Sequence, residues 1–250
     1  MLVSIITPVH NAESHVEETI DSILNQTFED WELILIDDFS TDNGVEILKK
    51  YEEKDSRIRV LENDNNEGAA ITRNRGIRAA KGRFIAFLDS DDLWLPEKLE
   101  KQLEFMKENN YAFTYTSYHI FKDDVEEGIM KVPEKVTHQE LLKTCSIGCL
   151  TVIYDTDKLG KMLMPIISRR QDFALWLKIL KEIPFAYGMQ EPLARYRLRN
   201  DSISGNKFKA ASYQWRVYRE FEKLNLFQAS YYFLHYSFNG VLKTYFKSKK

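Results

Sequence analysis

Arg83-Phe84-Ile85-Ala86-Phe87-Leu88-Asp89-Ser90-Asp91-Asp92 runs a short apolar segment straight into three carboxylates. A run this short and this evenly apolar reads as a strand buried on both faces, as in a parallel sheet. The same pattern recurs upstream. Residues 2–7 form an apolar run ended by Pro8, residues 32–37 form another that ends in Asp37 and Asp38, and residues 57–61 form a third. Helical segments lie between them. Val16, Ile20, Ile23 and Leu24 recur at helical spacing. Asp42 stands where it would cap a helix with Val45 and Leu48 on its apolar side, and residues 68–80 form a helix of small residues. Strand alternating with helix predicts an α/β fold, with a mostly parallel central sheet flanked by helices. Ligands of such sheets bind at the carboxyl ends of the strands. His10, Asn11, Asp37, Asp38, Asp89, Asp91 and Asp92 are therefore expected along one edge.

The rest of the chain is less regular. Residues 96–109 read as a helix, 111–121 as a strand and 123–134 as a charged excursion. Residues 172–181 form an amphipathic helix carrying Phe173, Trp176, Leu177 and Leu180, and residues 191–199 a late strand. Two helices, at 207–224 and 227–246, close the chain. No repeat, low-complexity tract or long linker divides the 250 residues, so one domain with a helical tail is the simplest organisation.

Composition narrows the class. Hydrophobic residues make up 44% and charged residues 29%, which excludes a disordered chain, a collagen-like repeat and a coiled coil. The net charge of −3 argues against a general nucleic-acid binder. That charge is unevenly spread: beyond residue 204, nine lysines and arginines face two acids, a net of +7 that leaves −10 for the remainder. A basic, aromatic tail on an acidic body suggests an anionic partner for the tail, against the plainer option of a solvated helix packing its aromatics on the body. Cys145 and Cys149 fit a reducing compartment and no disulfide framework, and the five histidines are too scattered for a zinc site. The N-terminus carries no basic n-region or cleavage site. No run reaches the ~18 uninterrupted apolar residues of a spanning helix. Residues 224–246 come closest, but Gln228, His235, Asn239 and Lys243 interrupt them. A cytoplasmic protein is the expectation.

The acids after the fourth strand carry the chemistry. Three carboxylates in four residues repel one another unless they are hydrated or neutralised. A hard divalent cation neutralises them and bridges to a diphosphate; acids opening a helix at Leu93-Trp94-Leu95-Pro96 are the other explanation. Asp37-Asp38, expected on the same edge, favours the metal-nucleotide explanation. Gly68-Ala69-Ala70-Ile71-Thr72-Arg73-Asn74-Arg75-Gly76 opens a helix whose N-terminal N–H groups suit a phosphate or ring carbonyl, or lets the helix pack closely on the sheet. Arg73 and Arg75 do not share a helical face, so one can face ligand and the other solvent. Neither a Gly-x-Gly-x-x-Gly fingerprint nor a P-loop is present.

Taken together, these pieces resemble inverting, nucleotide-sugar-dependent glycosyltransferases of family 2, which have the GT-A fold. The matching segments come in order: Thr7-Pro8-Val9-His10-Asn11, Ile36-Asp37-Asp38-Phe39-Ser40-Thr41-Asp42, Gly68-Ala69-Ala70 with Arg73-Asn74, and Phe87-Leu88-Asp89-Ser90-Asp91-Asp92. Gln171-Asp172-Phe173-Ala174-Leu175-Trp176, Tyr196-Arg197 and Ser202-Ile203-Ser204 extend the match to about residue 205. The chain also resembles bacterial transferases of teichuronic acid, capsule and O-antigen assembly. The resemblance implies a catalytic domain over 1–204, with a nucleotide-sugar-binding half at 1–95 and an acceptor-side half at 96–204. The basic, aromatic tail occupies 205–250.

The resemblance also implies roles. Pro8, His10, Asp38, Gly68, Arg73, Asp89, Arg197 and Arg199 would bind a UDP-sugar. His10 takes the place of a tyrosine that stacks on uracil. Asp38 would accept the uracil imide proton, Arg73 would donate to a uracil carbonyl, and Asp89 would approach the ribose. Asp91 would ligate Mn²⁺ or Mg²⁺ on the diphosphate. Asp172 would be the base for a single inverting displacement, unless it merely caps its helix. Gln171 stands where relatives have Glu, which removes a charge beside that base. Arg199 stands where many relatives have His; it cannot ligate a cation but can pair with diphosphate oxygens.

Tyr213-Gln214-Trp215-Arg216 lacks the order and spacing of the processive Gln-x-x-Arg-Trp pattern, so one sugar per encounter is expected. The acceptor implied is a glycan or a polyprenyl-diphosphate-linked glycan. Eight aromatics between Phe227 and Phe246, followed by Lys247-Ser248-Lys249-Lys250, would suit an anionic membrane surface on the inner face, and equally a homodimer. A sugar-nucleotide nucleotidyltransferase would need a Gly-rich N-terminal loop with Arg and Lys, which Pro8-Val9-His10-Asn11 does not supply. A non-catalytic nucleotide-sugar-binding subunit would not need Asp172.

Overall fold

The computed structural model describes residues 2–198 and 207–247. The expectations placed on Arg199 and on Ser202-Ile203-Ser204 lie outside the described residues. Elements run in the order β1 Val3–Val9, α1 Val16–Leu24, β2 Trp31–Asp37, α2 Gly44–Lys54, β3 Ile58–Glu62, α3 Ala69–Ala79, β4 Phe84–Phe87 and β5 Leu93–Trp94. They continue with α4 Lys98–Glu108, β6 Phe113–Lys122, β7 Val125–Met130, β8 Lys135–Val136, α5 His138–Lys143, β9 Ile153–Asp155, α6 Thr156–Leu159, α7 Gln171–Glu182 and β10 Ala186–Arg197. After the undescribed stretch come α8 Lys207–Arg216, a π-helical turn at Val217–Phe221, and α9 Leu226–Lys247.

The strands form one mixed, mostly parallel sheet in the order β3-β2-β1-β4-β9-β6-β10-β5, with β7 on β6 and β8 on β10. β3, β2, β1 and β4 are mutually parallel, and β10 runs parallel to β6. β9 lies antiparallel between β4 and β6 and joins the two halves. Period-two alternation feeds a separate core on each face. Val3, Ile5 and Val9 pack with Val16, Ile20, Ile23 and Leu48 on one side. Ile6, Ile34 and Ile36 pack with Ile77, Phe87 and Trp176 on the other.

Gly76 sets how closely α3 approaches the sheet: a Cβ there would lie 2.7 Å from Ile6 Cγ2 and 2.8 Å from Ile36 Cδ1. That fixes the height of α3, and with it the side chains of its first turns.

Several local expectations change. Pro8 does not end β1 but lies within it, opposite Ile36. The Ile6 carbonyl accepts from Leu88 on the β4 side. Pro8, two residues on, presents its missing N–H to that same side, where β4 has already ended. Asn43, not Asp42, is the residue that precedes α2, although an Asp42 oxygen accepts from Gly44 N at 3.0 Å. The acids at 89–92 do not open a helix, because Leu93–Trp94 is a strand antiparallel to β10 and the next helix starts at Lys98. The charged excursion at 123–134 contains a strand, β7, folded back on β6 through Asp123 and Asp124, both at positive φ. The late strand starts at Ala186 rather than residue 191, and the first tail helix passes into a π turn after Arg216.

Candidate active site

The carboxyl ends of β1, β2 and β4 bring the expected polar residues together. Their loops are tied to one another rather than merely adjacent. Asn11, at φ 48°, donates its N–H to Ser40 Oγ at 3.0 Å and accepts from Thr41 N at 2.8 Å. Glu13 N donates to Asp42 Oδ2 at 2.9 Å. Asp37 is buried and takes Ser40 N at 3.0 Å. The Ser40-Thr41-Asp42 segment therefore clips the β1–α1 loop to the β2–α2 loop.

Asp38 is the hub of this edge. Its buried carboxylate accepts from Asn63 Nδ2 at 2.9 Å, Glu67 N at 2.8 Å and Gly68 N at 2.9 Å. Burial pushes the Asp38 carboxyl up, but these hydrogen bonds outweigh it and hold the group below the usual carboxylate range. Arg75 supports the arrangement from behind, donating to Asn63 Oδ1 at 2.7 Å. Gly68 sits at φ 83°, a conformation that favours glycine, and its N–H is spent on Asp38. His10 is exposed at the mouth; its Nδ1 donates to the Asp38 carbonyl at 2.9 Å and Asn66 Nδ2 lies 3.2 Å from its Nε2. Asn63 and Asn66 are site residues that the sequence alone did not single out.

The acid turn follows β4. Asp92 N closes it on the Asp89 carbonyl at 3.1 Å. Asp92 points inward, buried, and accepts from Arg197 N at 2.9 Å. Burial, together with the neighbouring Asp91 and Asp89 charges, pushes the Asp92 carboxyl well above its ordinary range. Asp89 and Asp91 remain partly exposed. Arg197 is already engaged: Nε donates to the Asp91 carbonyl at 2.8 Å, Nη2 to Glu18 Oε2 at 2.5 Å, and the guanidinium lies 4.5 Å over the Phe121 ring. Its side chain is only 9% exposed. It braces the acid turn from below.

Arg73 and Asn74 connect the two halves of the site. Arg73 is buried and donates through Nη2 to Asp89, while its Nε has no partner. Burial alone would favour its neutral form, but the ion pair with Asp89 holds the guanidinium charged, with a smaller contribution from the Asp172 charge. Asn74 clamps the segment leading to α7 by a reciprocal pair, Nδ2 to the Met164 carbonyl at 2.8 Å and Met164 N to Oδ1 at 2.7 Å. Asp172 is the second residue of α7 and is half-buried. It caps nothing: the residue before the helix is Arg170, in the left-handed conformation at φ 64°. The Asp172 carboxylate has no hydrogen-bond partner among the described residues. Arg170 donates to Tyr236 of α9, which ties the tail to the start of this helix.

Among the described residues no cluster of three or more His, Cys, Asp or Glu side chains forms a metal cage. The partly exposed Asp91 still fits Mg²⁺ or Mn²⁺, which can take as little as one protein carboxylate and complete their shell with phosphate and water.

An acid turn and a buried Asp-amide hub lie at the carboxyl edge of a mixed sheet, the edge at which α/β sheets bind their ligands. The family model for glycosyl transferase family 2 matches residues 4–188. The chain belongs to glycosyl transferase family 2 and is a glycosyltransferase. It is 48% identical over 97% of both chains to the putative teichuronic acid biosynthesis glycosyltransferase TuaG of Bacillus subtilis. It is 43% identical, over 99% of this chain and 97% of the relative, to an Escherichia coli UDP-Glc:α-D-GlcNAc-diphosphoundecaprenol β-1,3-glucosyltransferase, WfgD. The S. aureus TarS 1–349 structure in complex with UDP-GlcNAc shares its fold, with a TM-score of 0.72 at 23% identity over 88% of this chain and 65% of that one. So does the Pyrobaculum calidifontis mannosyltransferase PcManGT in complex with GDP-Man and Mn²⁺, with a TM-score of 0.69 at 16% identity over 89% of this chain and 64% of that one.

Proposed function

We propose that this glycosyltransferase moves a single sugar from a UDP-sugar to a lipid-linked glycan acceptor, with inversion, in the assembly of a bacterial surface polysaccharide. One set of observations carries the reading: the buried Arg73 ties the acid turn through Asp89, and Asp172, whose carboxylate has no hydrogen-bond partner among the described residues, lies within electrostatic reach of that arginine. The names of the Bacillus and Escherichia relatives, each matched along nearly its whole length, support the donor and acceptor classes. Cys145 and Cys149, which form no disulfide with each other, fit the cytoplasm, where nucleotide sugars are the available donors.

Each residue takes a role that its geometry allows. His10 offers an exposed imidazole for the base to stack on. Asp38 has one lone pair beyond its three hydrogen bonds for an imide N–H, and Pro8 and Gly68 shape the backbone on either side. Asp89 lies toward the ribose and Arg73 holds its charge against the donor. Asp91 would hold Mn²⁺ or Mg²⁺, which when bound supplies positive charge for the departing diphosphate. Arg197 positions Asp91 rather than touching the diphosphate itself; Arg199 keeps the diphosphate role on the resemblance alone. Residues 1–95 serve the donor, 96–204 the acceptor, and 205–250 form the tail.

In the reaction, Asp172 accepts the proton of an acceptor hydroxyl as its oxygen attacks the anomeric carbon. The bond from that carbon to the β-phosphate oxygen breaks, and UDP leaves with the electron pair. One displacement forms one bond and breaks one, without a glycosyl-enzyme intermediate. The test is acceptor-dependent release of UDP from a panel of UDP-sugars. Release only with acceptor supports the transferase. Nucleotide binding without release under any acceptor, or exchange of pyrophosphate instead, overturns it.

A further inference from the structure

Among the described residues, nine large hydrophobic side chains are exposed, and five of them, Leu226, Phe227, Tyr231, Leu234 and Phe238, lie on α9. Phe227 is 89% exposed, Tyr231 50%, Leu234 70% and Phe238 64%. Their spacing of four, three and four residues confines them to an arc of about 60° on one side of the helix. The opposite side is already docked. Ala229 is fully buried, Tyr232 and Phe233 pack on the core, and Tyr236 accepts from Arg170. Phe233 meets Trp215 edge-on at 5.5 Å, and Asn239 Nδ2 donates to the Lys143 carbonyl at 3.1 Å. The stripe is therefore surplus to folding, and a contiguous exposed apolar strip marks an interaction surface.

Charge says what covers it. Exposed Lys223 precedes the stripe, and Lys143 Nζ lies 5.9 Å from the Tyr231 ring. The chain beyond residue 204 carries +7 against −10 for the rest, so the segment that contains α9 is opposite in net charge to the body. A symmetric, face-to-face contact with a second copy would bring the same positive charge to the contact. An anionic bilayer would bring the opposite charge, and an amphipathic helix with aromatic anchors lies in such an interface. Among the described residues no helix is long and apolar enough to cross a membrane, which leaves α9 a surface contact.

We propose that the Phe227–Tyr231–Leu234–Phe238 face of α9 docks on an anionic phospholipid bilayer and, through Tyr236 and Arg170, sets the start of α7, and so Asp172, at the height of the lipid-linked acceptor. The placement of Asp172 rests on the acceptor reading above; the bilayer contact does not. The docking face is outward, so its removal leaves the fold and the donor site intact.

The experiment is co-sedimentation of the full chain with phosphatidylglycerol-containing and with pure phosphatidylcholine vesicles, at low and high salt. Wild type is expected to sediment with the anionic vesicles and to be released by salt. The triple variant Phe227→Ser, Leu234→Ser, Phe238→Ser is expected to bind them at least about tenfold more weakly at unchanged Tm. No sedimentation of wild type, or equal sedimentation of the variant, overturns the proposal. So does a concentration-dependent dimer that the triple variant abolishes in the absence of vesicle binding, which would give the stripe to a second copy. Turnover of a short-chain, water-soluble acceptor, unchanged in the triple variant, reports the reaction separately: absence of wild-type turnover with both this and a lipid-linked acceptor would sink the acceptor reading without touching the vesicle result.

Discussion

The donor edge and the start of α7 handle their carboxylates in opposite ways. At the donor edge, Asp38 accepts three hydrogen bonds, Asp37 holds Ser40, and Asp92 holds Arg197. These acids are part of the scaffold. At α7, the Asp172 carboxylate has no hydrogen-bond partner among the described residues, and its helix starts from Arg170 in the left-handed conformation rather than from a side-chain cap. A binding site gains from groups fixed in advance, because ordering them on binding costs affinity. A base has to keep a lone pair for the proton it takes. On the proposed roles, the two regions differ because they are asked for different things.

The largest effect should come from Asp172→Asn. It removes the proposed base and no hydrogen bond seen among the described residues, so kcat should fall by about 10³-fold. Tm and UDP affinity should stay at wild-type values. A matching loss of stability or nucleotide binding would place Asp172 in the scaffold and erase the contrast.

Asp38→Ala breaks the other side. It leaves Asn63 Nδ2 and the Glu67 and Gly68 N–H groups without their acceptor, at a cost of about 3 kcal/mol in urea denaturation. UDP affinity should fall with it.

Gly76→Val probes the scaffold without touching a polar group. The added atoms collide with Ile6 and Ile36, so about 2 kcal/mol of stability should go as α3 lifts, and nucleotide affinity should weaken. Unchanged thermal and binding data would show that α3 moves without consequence for Arg73.

The smallest effect is on pH dependence. The Asp38 carboxyl is depressed in the fold, so the folded state binds fewer protons than the unfolded chain near the ordinary aspartate range. Its contribution is complete above the unfolded value of about 3.9 and is lost as pH falls through the lower folded value. Stability should therefore drop more steeply below about pH 4 in wild type than in Asp38→Asn. Parallel curves would mean that Asp38 does not carry this load.

The strands of the donor half were legible because a strand buried on both faces shows itself as an unbroken apolar run, as Phe84 to Leu88 does. β7 was not, because Val125-Glu126-Glu127-Gly128-Ile129-Met130 lies at an edge where nothing buries it. Its charges describe its solvent and say nothing of its partner β6. Asp38, Arg73 and Asp89 were legible as residue types at strand ends and a helix start. Asn63 and Asn66 were not, because they sit in a loop, where no period marks which amide turns inward.

Sequence by itself determined the alternation of strand and helix, the acids at the sheet edge and the resemblance to family 2, because each rests on residues close together in the chain. Only the tertiary structure decided which acids are bound and which is unpartnered. Arg197 reaches Asp92 across 105 residues, Asn74 reaches Met164 across 90, and Tyr236 reaches Arg170 across 66. The spacing of residues along the chain does not report contacts over that range. The division between the hydrogen-bonded acids and the proposed base is therefore a property of packing, and the outward stripe of α9 becomes visible only once its other face has found the core.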